Sequence, residues 1–250
     1  MNAKISIIIA TNNSESTLED TLASINAQTY SNIESVVIDN DSTDSTRDMV
    51  IKFLSPGDIF ISEKDAGIYD AFNKGISESS GDIIGFLNSD DMFYSSEIIT
   101  KINKLFLKNP DVNVVYGNLV YCASDDVNSI KRKWIASKFK KTSLRYGWMP
   151  PHPTLFVRKE IYDLIGKFNT NYKISADYDF CVRLFSSNKA KSLYYPEIII
   201  KMRAGGVSTR LSNFYNKLSE DFTIAKRHDF NPFILTFSKI ARKITQFFYV

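Results

Sequence analysis

Residues 5–10 form a β-branched and aliphatic run broken only by Ser6, and Thr11, Asn12 and Asn13 end it. That pattern predicts a strand buried on both faces of a parallel sheet. Ser16 followed by Glu19 predicts a capping box, and Leu18, Leu22 and Ile25 repeat at helical spacing to about residue 28. The unit then recurs. Residues 33–38 predict a second strand, which ends in the polar run 39–44 and leads to a helix over 44–53. Residues 58–62 predict a third, passing through Glu63, Lys64, Asp65, Ala66 and Gly67 into a helix to about residue 78. The fourth, 83–87, stops abruptly at Asn88, Ser89, Asp90 and Asp91. Strands alternating with helices in this way predict a doubly wound, mostly parallel sheet with right-handed crossovers. Every predicted strand end carries side-chain oxygens: Thr11, Asp39, Glu63 with Asp65, then Asp90 with Asp91. Ligands of open α/β sheets collect at the carboxyl ends of the strands, so four such ends aim at one crevice.

The second half is less regular. A helix over 95–108 is stopped by Asn109, Pro110 and Asp111, and 112–121 predicts one or two strands with a turn at Gly117. Residues 123–143 are polar and basic, an excursion or hairpin. Residues 147–158 hold three prolines, an aromatic cluster and His152, and predict a rigid loop entering a strand. A lone histidine is more often structural than catalytic. In 173–185 Asp177 stands where a helix begins, the place of a cap or, facing the crevice, of a general base. Residues 192–203 predict a strand pair, 204–207 a glycine turn and 211–227 a mixed-charge helix. In the last segment Phe233, Phe237, Ile240, Ile244 and Phe247 are spaced by 4, 3, 4 and 3, with Lys239, Arg242 and Lys243 largely off that stripe. This is a basic amphipathic helix, suited to a membrane interface or to packing on its own domain or a second subunit.

Composition narrows the field. A hydrophobic fraction of 44%, a charged fraction of 24% and a net charge of +3 are ordinary for a globular chain and give no sign of a nucleic-acid binder. Two cysteines without CxxC spacing build no disulfide framework and fit a reducing cytoplasm. The apolar run at the N-terminus is too short for a signal peptide, and no stretch approaches the ~20 apolar residues of a membrane span. Neither GxGxxG nor GxxxxGK[ST] occurs, so the phosphates of a nucleotide would be neutralised by a cation rather than by a glycine-rich loop. Asp90 and Asp91 at a strand end suit Mg²⁺ or Mn²⁺ bound together with a substrate phosphate; the plain alternative is a solvated turn.

Taken together, SIIIATNNSESTLEDTLASINAQTY, VVIDNDSTDST, EKDAGIYDAFNKGI, GDIIGFLNSDD, PHPTLFVRKEIY and ADYDFCVRL resemble, in order, the motifs of the family 2 inverting glycosyltransferases of bacterial surface-polysaccharide synthesis. The resemblance covers nearly the whole chain. It implies a GT-A fold, a Rossmann-like mostly parallel sheet flanked by helices, in a catalytic domain over 1–208 followed by a helical extension over 209–250. Within that domain, 1–95 would bind the nucleotide sugar and 96–208 would form the acceptor side. Thr11, Asn13 and Asp39 would lie around base and ribose, and Asp65 and Asp70 in the same pocket. Asp90 and Asp91 would hold the ribose and the divalent cation, Mn²⁺ or Mg²⁺, with Asp177 as catalytic base. Three departures stand out: Asn88 replaces the first aspartate of the DXD triplet, Ala176 replaces the glutamate of the ED pair, and Asp41 and Ser45 replace glycines. With Ala176 in place, Asp177 carries that motif alone and Asp179 is its nearby rival.

The implied reaction is one in-line displacement at the anomeric carbon of a nucleotide sugar, with a saccharide acceptor, lipid-linked if the last helix docks on the inner face of a bilayer. His152 and Arg203 are candidates for the acceptor or diphosphate side. Of the rival readings, a sugar nucleotidyltransferase would carry a glycine-rich basic loop after the first strand, where this chain has ATNNSEST. An inert membrane-surface scaffold would have no use for four polar strand ends. A homo-oligomer is compatible with the same pattern.

Overall fold

The computed structural model describes residues 2–205 and 214–246. Strands β1 (Ile5–Thr11), β2 (Ile33–Asp39), β3 (Ile59–Ser62) and β4 (Ile83–Phe86) are mutually parallel in the order β3-β2-β1-β4. Beyond β4 the sheet becomes mixed. It continues through β8 (Phe156–Arg158), β6 (Val114–Cys122), β9 (Ser192–Arg203) and the two-residue β5 (Met92–Phe93), while β7 (Ile130–Trp134) pairs with the far half of β6. Only the β6–β9 contact in this half is parallel, so "mostly parallel" holds for the N-terminal half alone.

Alternation along β1 divides the core. Ile5, Ile7 and Ile9 face a layer made by α1 (Leu18–Asn26), α2 (Thr46–Phe53) and α4 (Ile98–Lys108). Ile8 faces the opposite layer, with α3 (Ile68–Glu78), α5 (Lys159–Ile165), α6 (Ala176–Ser186) and α7 (Phe214–Arg227), and Leu235 of α8 (Pro232–Thr245) joins it. These strands are apolar on both faces because helices cover both.

Several expected elements take another form. No capping box forms at α1; Thr17 is its N-cap and makes no side-chain cap bond. Gly117 does not turn the chain, since β6 runs straight through it. A Cβ there would lie 2.8 Å from the Tyr195 carbonyl oxygen, and the register with β9 shifts at this point, so the glycine marks an irregularity in the ladder. Residues 192–203 are one strand rather than a pair. Helix α5, only seven residues long, is too short to show periodicity. The domain boundary expected at 208/209, Gly206 of the glycine turn, Leu211 and Phe247 lie outside the described residues.

Glu34, on β2, is 2% exposed and joins three segments that underlie the parallel half. It accepts from Lys4 Nζ at 2.7 Å, Ser6 Oγ at 2.6 Å and the Ser80 amide at 2.9 Å. Burial opposes its ionisation, but these donors outweigh it and bring its pKa down to about 2. A carboxylate depressed on folding adds stability above its unfolded value and loses it as pH falls through the folded value. Glu34→Gln is therefore expected to lose about 3 kcal/mol at pH 7, with the gap from wild type closing between pH 4.5 and 2 in acid melts.

Candidate active site

The polar ends of the first four strands lie along one edge, in register: Thr11 beside Asp39, and Asp39 beside Ser62. Asp39 is fully buried and surrounded by donors. The Thr11 hydroxyl (2.9 Å), the Ser42 amide (3.0 Å), the Ser42 hydroxyl and the Ser62 hydroxyl (2.6 Å) all donate to it, and Arg47 Nε lies 3.4 Å away. A carboxylate has about four acceptor positions, all used here. Asp39 and Thr11 form a buried frame that fixes the loops. Asn13 is more exposed; it sits at φ 46°, its amide donates to Ser42 Oγ, and its side-chain oxygen accepts from the Thr43 amide. Asp65 accepts from the Gly67 amide at 2.8 Å and Asp70 from the Ala66 amide at 3.1 Å, shaping the turn that opens α3.

The acid turn after β4 is gripped by α1. Thr17 and Thr21 donate to the carbonyls of Ser89 and Asp91, at 2.9 and 2.7 Å, and Ser24 Oγ accepts from the Phe93 amide at 3.2 Å. These hydroxyls at i, i+4 and i+7 share one helix face, a spacing legible in the sequence.

The two carboxylates of the turn differ sharply. Asp91 is fully buried, and both its oxygens are held: the Asn88 amide donates at 2.7 Å and the Arg203 backbone N–H at 3.1 Å. Asp91 thus ties the turn to the end of β9. Asp90 is half-buried and no other described residue donates to its carboxylate. Burial pushes both carboxyls upward, Asp91 further because it also feels the charge of Asp90. The Arg203 guanidinium opposes this but is held elsewhere: it ion-pairs with Asp20 and donates to the Ser124 carbonyl at 3.1 Å.

Asp177 opens α6 on the other side of the crevice. Tyr69, from α3, bridges to it; its hydroxyl lies 2.8 Å from the Ile174 carbonyl and 3.3 Å from Asp177 Oδ1. The Tyr121 hydroxyl, pushed up to about 12 mainly by burial, is raised further by both Asp91 and Asp177 and lowered by Arg132, whose guanidinium stacks 3.7 Å above the ring. Neither Tyr121 nor Arg132 was signalled by the sequence, because they arrive on separate strands, β6 and β7.

Two other candidates lie in the interior. Asp179 is fully buried, bound by Arg183 Nε at 2.8 Å with His228 Nε2 at 3.8 Å, so it is no rival to Asp177. His152 packs among Phe72, Phe86 and Phe168 at ring distances of 5.3–6.1 Å. Burial lowers its pKa, against the opposing charge of Asp177.

Residues 6–182 match the model for Glycosyl transferase family 2. The chain belongs to that family. An uncharacterized glycosyltransferase of Rickettsia prowazekii is 31% identical over 229 residues, covering 86% of this chain and 68% of its own. A PGL/p-HBAD biosynthesis glycosyltransferase of Mycobacterium tuberculosis is 29% identical over 210 residues, covering 82% and 79%. Among solved structures, S. aureus TarS 1-349 in complex with UDP-GlcNAc superposes with a TM-score of 0.69 at 19% identity, over 89% of this chain and 65% of that one. The mannosyltransferase PcManGT of Pyrobaculum calidifontis, in complex with GDP-Man and Mn²⁺, gives 0.64 at 16% over 97% and 70%. The chain therefore spans slightly under two thirds of the TarS fragment. The family 2 fold here is GT-A, a curled mixed sheet between helical layers, and the enzyme is a glycosyltransferase.

Among the described residues no group of three His, Cys, Asp or Glu is placed to hold a metal ion by itself. The acid turn still fits a cation shared with substrate. Asp90 is a half-buried carboxylate with no other donor among the described residues, beside a second, buried one, an arrangement a divalent ion held jointly with phosphate oxygens would relieve.

Proposed function

We propose that this glycosyltransferase moves a sugar from a nucleotide-diphosphate sugar to a saccharide acceptor with inversion, and that it works on lipid-linked acceptors of surface-polysaccharide synthesis. The observation that carries the reading is Asp177, held by Tyr69 at the start of α6 across from the acid turn. Asp177 takes the proton from the acceptor hydroxyl as that oxygen attacks the anomeric carbon from the face opposite the leaving diphosphate. Thr11 and Asp39 frame the nucleotide pocket from below, and Asn13, Asp65 and Asp70 form its surface. Asp90 would hold the divalent cation, with Asp91 fixing the turn. Such a cation, when bound, neutralises charge on the departing diphosphate. That TarS was solved with UDP-GlcNAc and PcManGT with GDP-Man and Mn²⁺ supports these donor classes and this metal. A nucleotide-sugar panel starting with UDP-GlcNAc and GDP-Man, read by Mn²⁺-dependent nucleotide release and thermal stabilisation, tests the reading. No stabilisation and no release by any donor would overturn it.

The bilayer is supported by α8. Its apolar stripe points outward: Phe233 is 74% and Phe237 75% exposed, with Ile234 and Ile240 beside them, while Leu235 packs inward. Lys239, expected among the headgroup-seeking cations, is turned inward and pairs with Asp221 at 2.8 Å. Residues 209–250 nevertheless hold seven Lys and Arg against three Asp and Glu, in a chain of net charge only +3. A groove of about 500 Å³ between α7 and α8, lined by Leu218, Phe222, Lys226 and Thr236, opens next to this stripe. An exposed apolar face with excess positive charge suits an anionic lipid surface. No helix among the described residues is long and apolar enough to cross a membrane. Phe237→Ser with Ile240→Ser is expected to weaken flotation with phosphatidylglycerol vesicles at least tenfold, leaving nucleotide release in solution unchanged. Wild-type flotation by the double variant would remove the bilayer from the proposal.

A further inference from the structure

The segment that presents Asp177 is held from outside the part of the chain that matches the family model. Residues 173–175 run directly into α6, and their three consecutive backbone N–H groups all donate to one carboxylate, Glu220 of α7. The bonds are Lys173 at 2.7 Å to Oε1, Ile174 at 3.0 Å and Ser175 at 2.7 Å to Oε2. The Ile174 carbonyl between them accepts from Tyr69, so this peptide segment is clamped on its N–H side by Glu220 and on its C=O side by Tyr69. Glu220 lies well beyond residue 182, where the family match ends.

A second tie runs from α8 to the same place. The Lys239 ammonium lies 3.5 Å from the ring centre of Tyr178, the residue after Asp177, and pairs with Asp221, the residue after Glu220. Helix α8 thus fastens α7 against the start of α6. Three N–H bonds to one carboxylate exceed what a surface glutamate ordinarily makes, and charge-assisted bonds of this kind are short and directional. They fix the backbone from which the Asp177 side chain springs.

We infer that Glu220 is a positioning residue for the catalytic base: through the N–H groups of residues 173–175 it sets the entry of α6, and with it the direction of the Asp177 carboxylate toward the acceptor hydroxyl. The inference rests on the reading of Asp177 as base. It makes the helical extension part of the catalytic apparatus, where the sequence showed only a mixed-charge helix. Proton abstraction is sensitive to sub-ångström placement, whereas the described residues of the loops after β1–β3 make no hydrogen bond to Glu220 and meet the segment it holds through the long bond from Lys173 Nζ to the Ala66 carbonyl at 3.4 Å.

The test is a double-mutant cycle in the full chain, with UDP-GlcNAc and GDP-Man as first donors. Glu220→Gln retains one acceptor oxygen and Glu220→Ala none. The expected result is a kcat loss of about tenfold for Gln and about a hundredfold for Ala, with the nucleotide Kd from calorimetry unchanged. In the Asp177→Asn background the same substitutions are expected to cost nothing further, since the group they orient is gone. Thermal melts identify the variants that remain folded, and Glu220→Gln serves if Glu220→Ala does not. Equal kcat losses in both backgrounds, wild-type kcat in a folded Glu220→Ala, or a Kd that rises in step with the kcat loss would each overturn the inference while leaving Asp177 as base. Full turnover in Asp177→Asn would overturn the base assignment and the inference with it.

Discussion

Asp177→Asn is expected to lower turnover by about 10²–10⁴-fold while changing nucleotide-sugar affinity less than about twofold. Asparagine keeps the size of the side chain and an oxygen able to accept from the Tyr178 amide, which donates to Asp177 Oδ1 at 2.7 Å, and from Tyr69. Only the ability to take a proton disappears. A general base contributes in the transition state and little to ground-state binding, so kcat carries the loss. Steady-state kinetics with calorimetry on the same variant measures both quantities. If affinity fell as far as turnover, Asp177 would be a helix cap holding the cleft in shape, and the proposed base would have to be sought elsewhere.

The second large effect separates two neighbours. Asp91→Ala is expected to be primarily a stability mutant: it leaves the Arg203 N–H buried and unpaired, and the half-buried Asn88 amide without its partner. An orphaned buried donor costs about 1–3 kcal/mol, so roughly 2 kcal/mol and a fall in Tm of about 4–8 °C are expected. Asp90→Ala is expected to melt with the wild type, because no described donor loses a partner, but to lose Mn²⁺-dependent nucleotide binding and at least a hundredfold in kcat. Melting curves and Mn²⁺ titrations of the two variants check the division. An Asp91→Ala variant that melted normally but lost Mn²⁺ dependence would reverse the roles.

The βα units of the first half were legible because each depends on local pattern: apolar runs covered on both faces, punctuated by Asn, Ser and Asp. Their helices begin and end within a few residues of expectation. The crevice followed from the same pattern, since polar ends on parallel neighbours must share an edge. The mixed half resisted for a physical reason. A strand such as β6 that pairs with β8 at one end, β7 at the other and β9 alongside has no single periodicity, and the shift at Gly117 reads in the sequence as a turn. His152 and Asp179 drew attention as lone polar residues in apolar surroundings, a description that fits a packed ring or a buried ion pair as well as a reactive group.

By itself the sequence determined the alternation of elements, the row of oxygen-bearing strand ends, the motifs of family 2 and the period of the α8 stripe. Each is a property of residues near one another in the chain. The tertiary structure decided which of these groups are spent and which are available. Asp91 is held by a backbone N–H 112 positions away and by Asn88, whereas no other described residue donates to Asp90. Asp39 is surrounded by donors from β1, β3 and the loop after β2, and the α8 stripe faces outward because Leu235, not Phe237, reaches the core. Glu220 became legible only when α7 was laid against the entry of α6. A side chain's chemistry depends on whether its hydrogen-bonding positions are filled, and in this chain the groups that fill them come from distant segments brought together by folding.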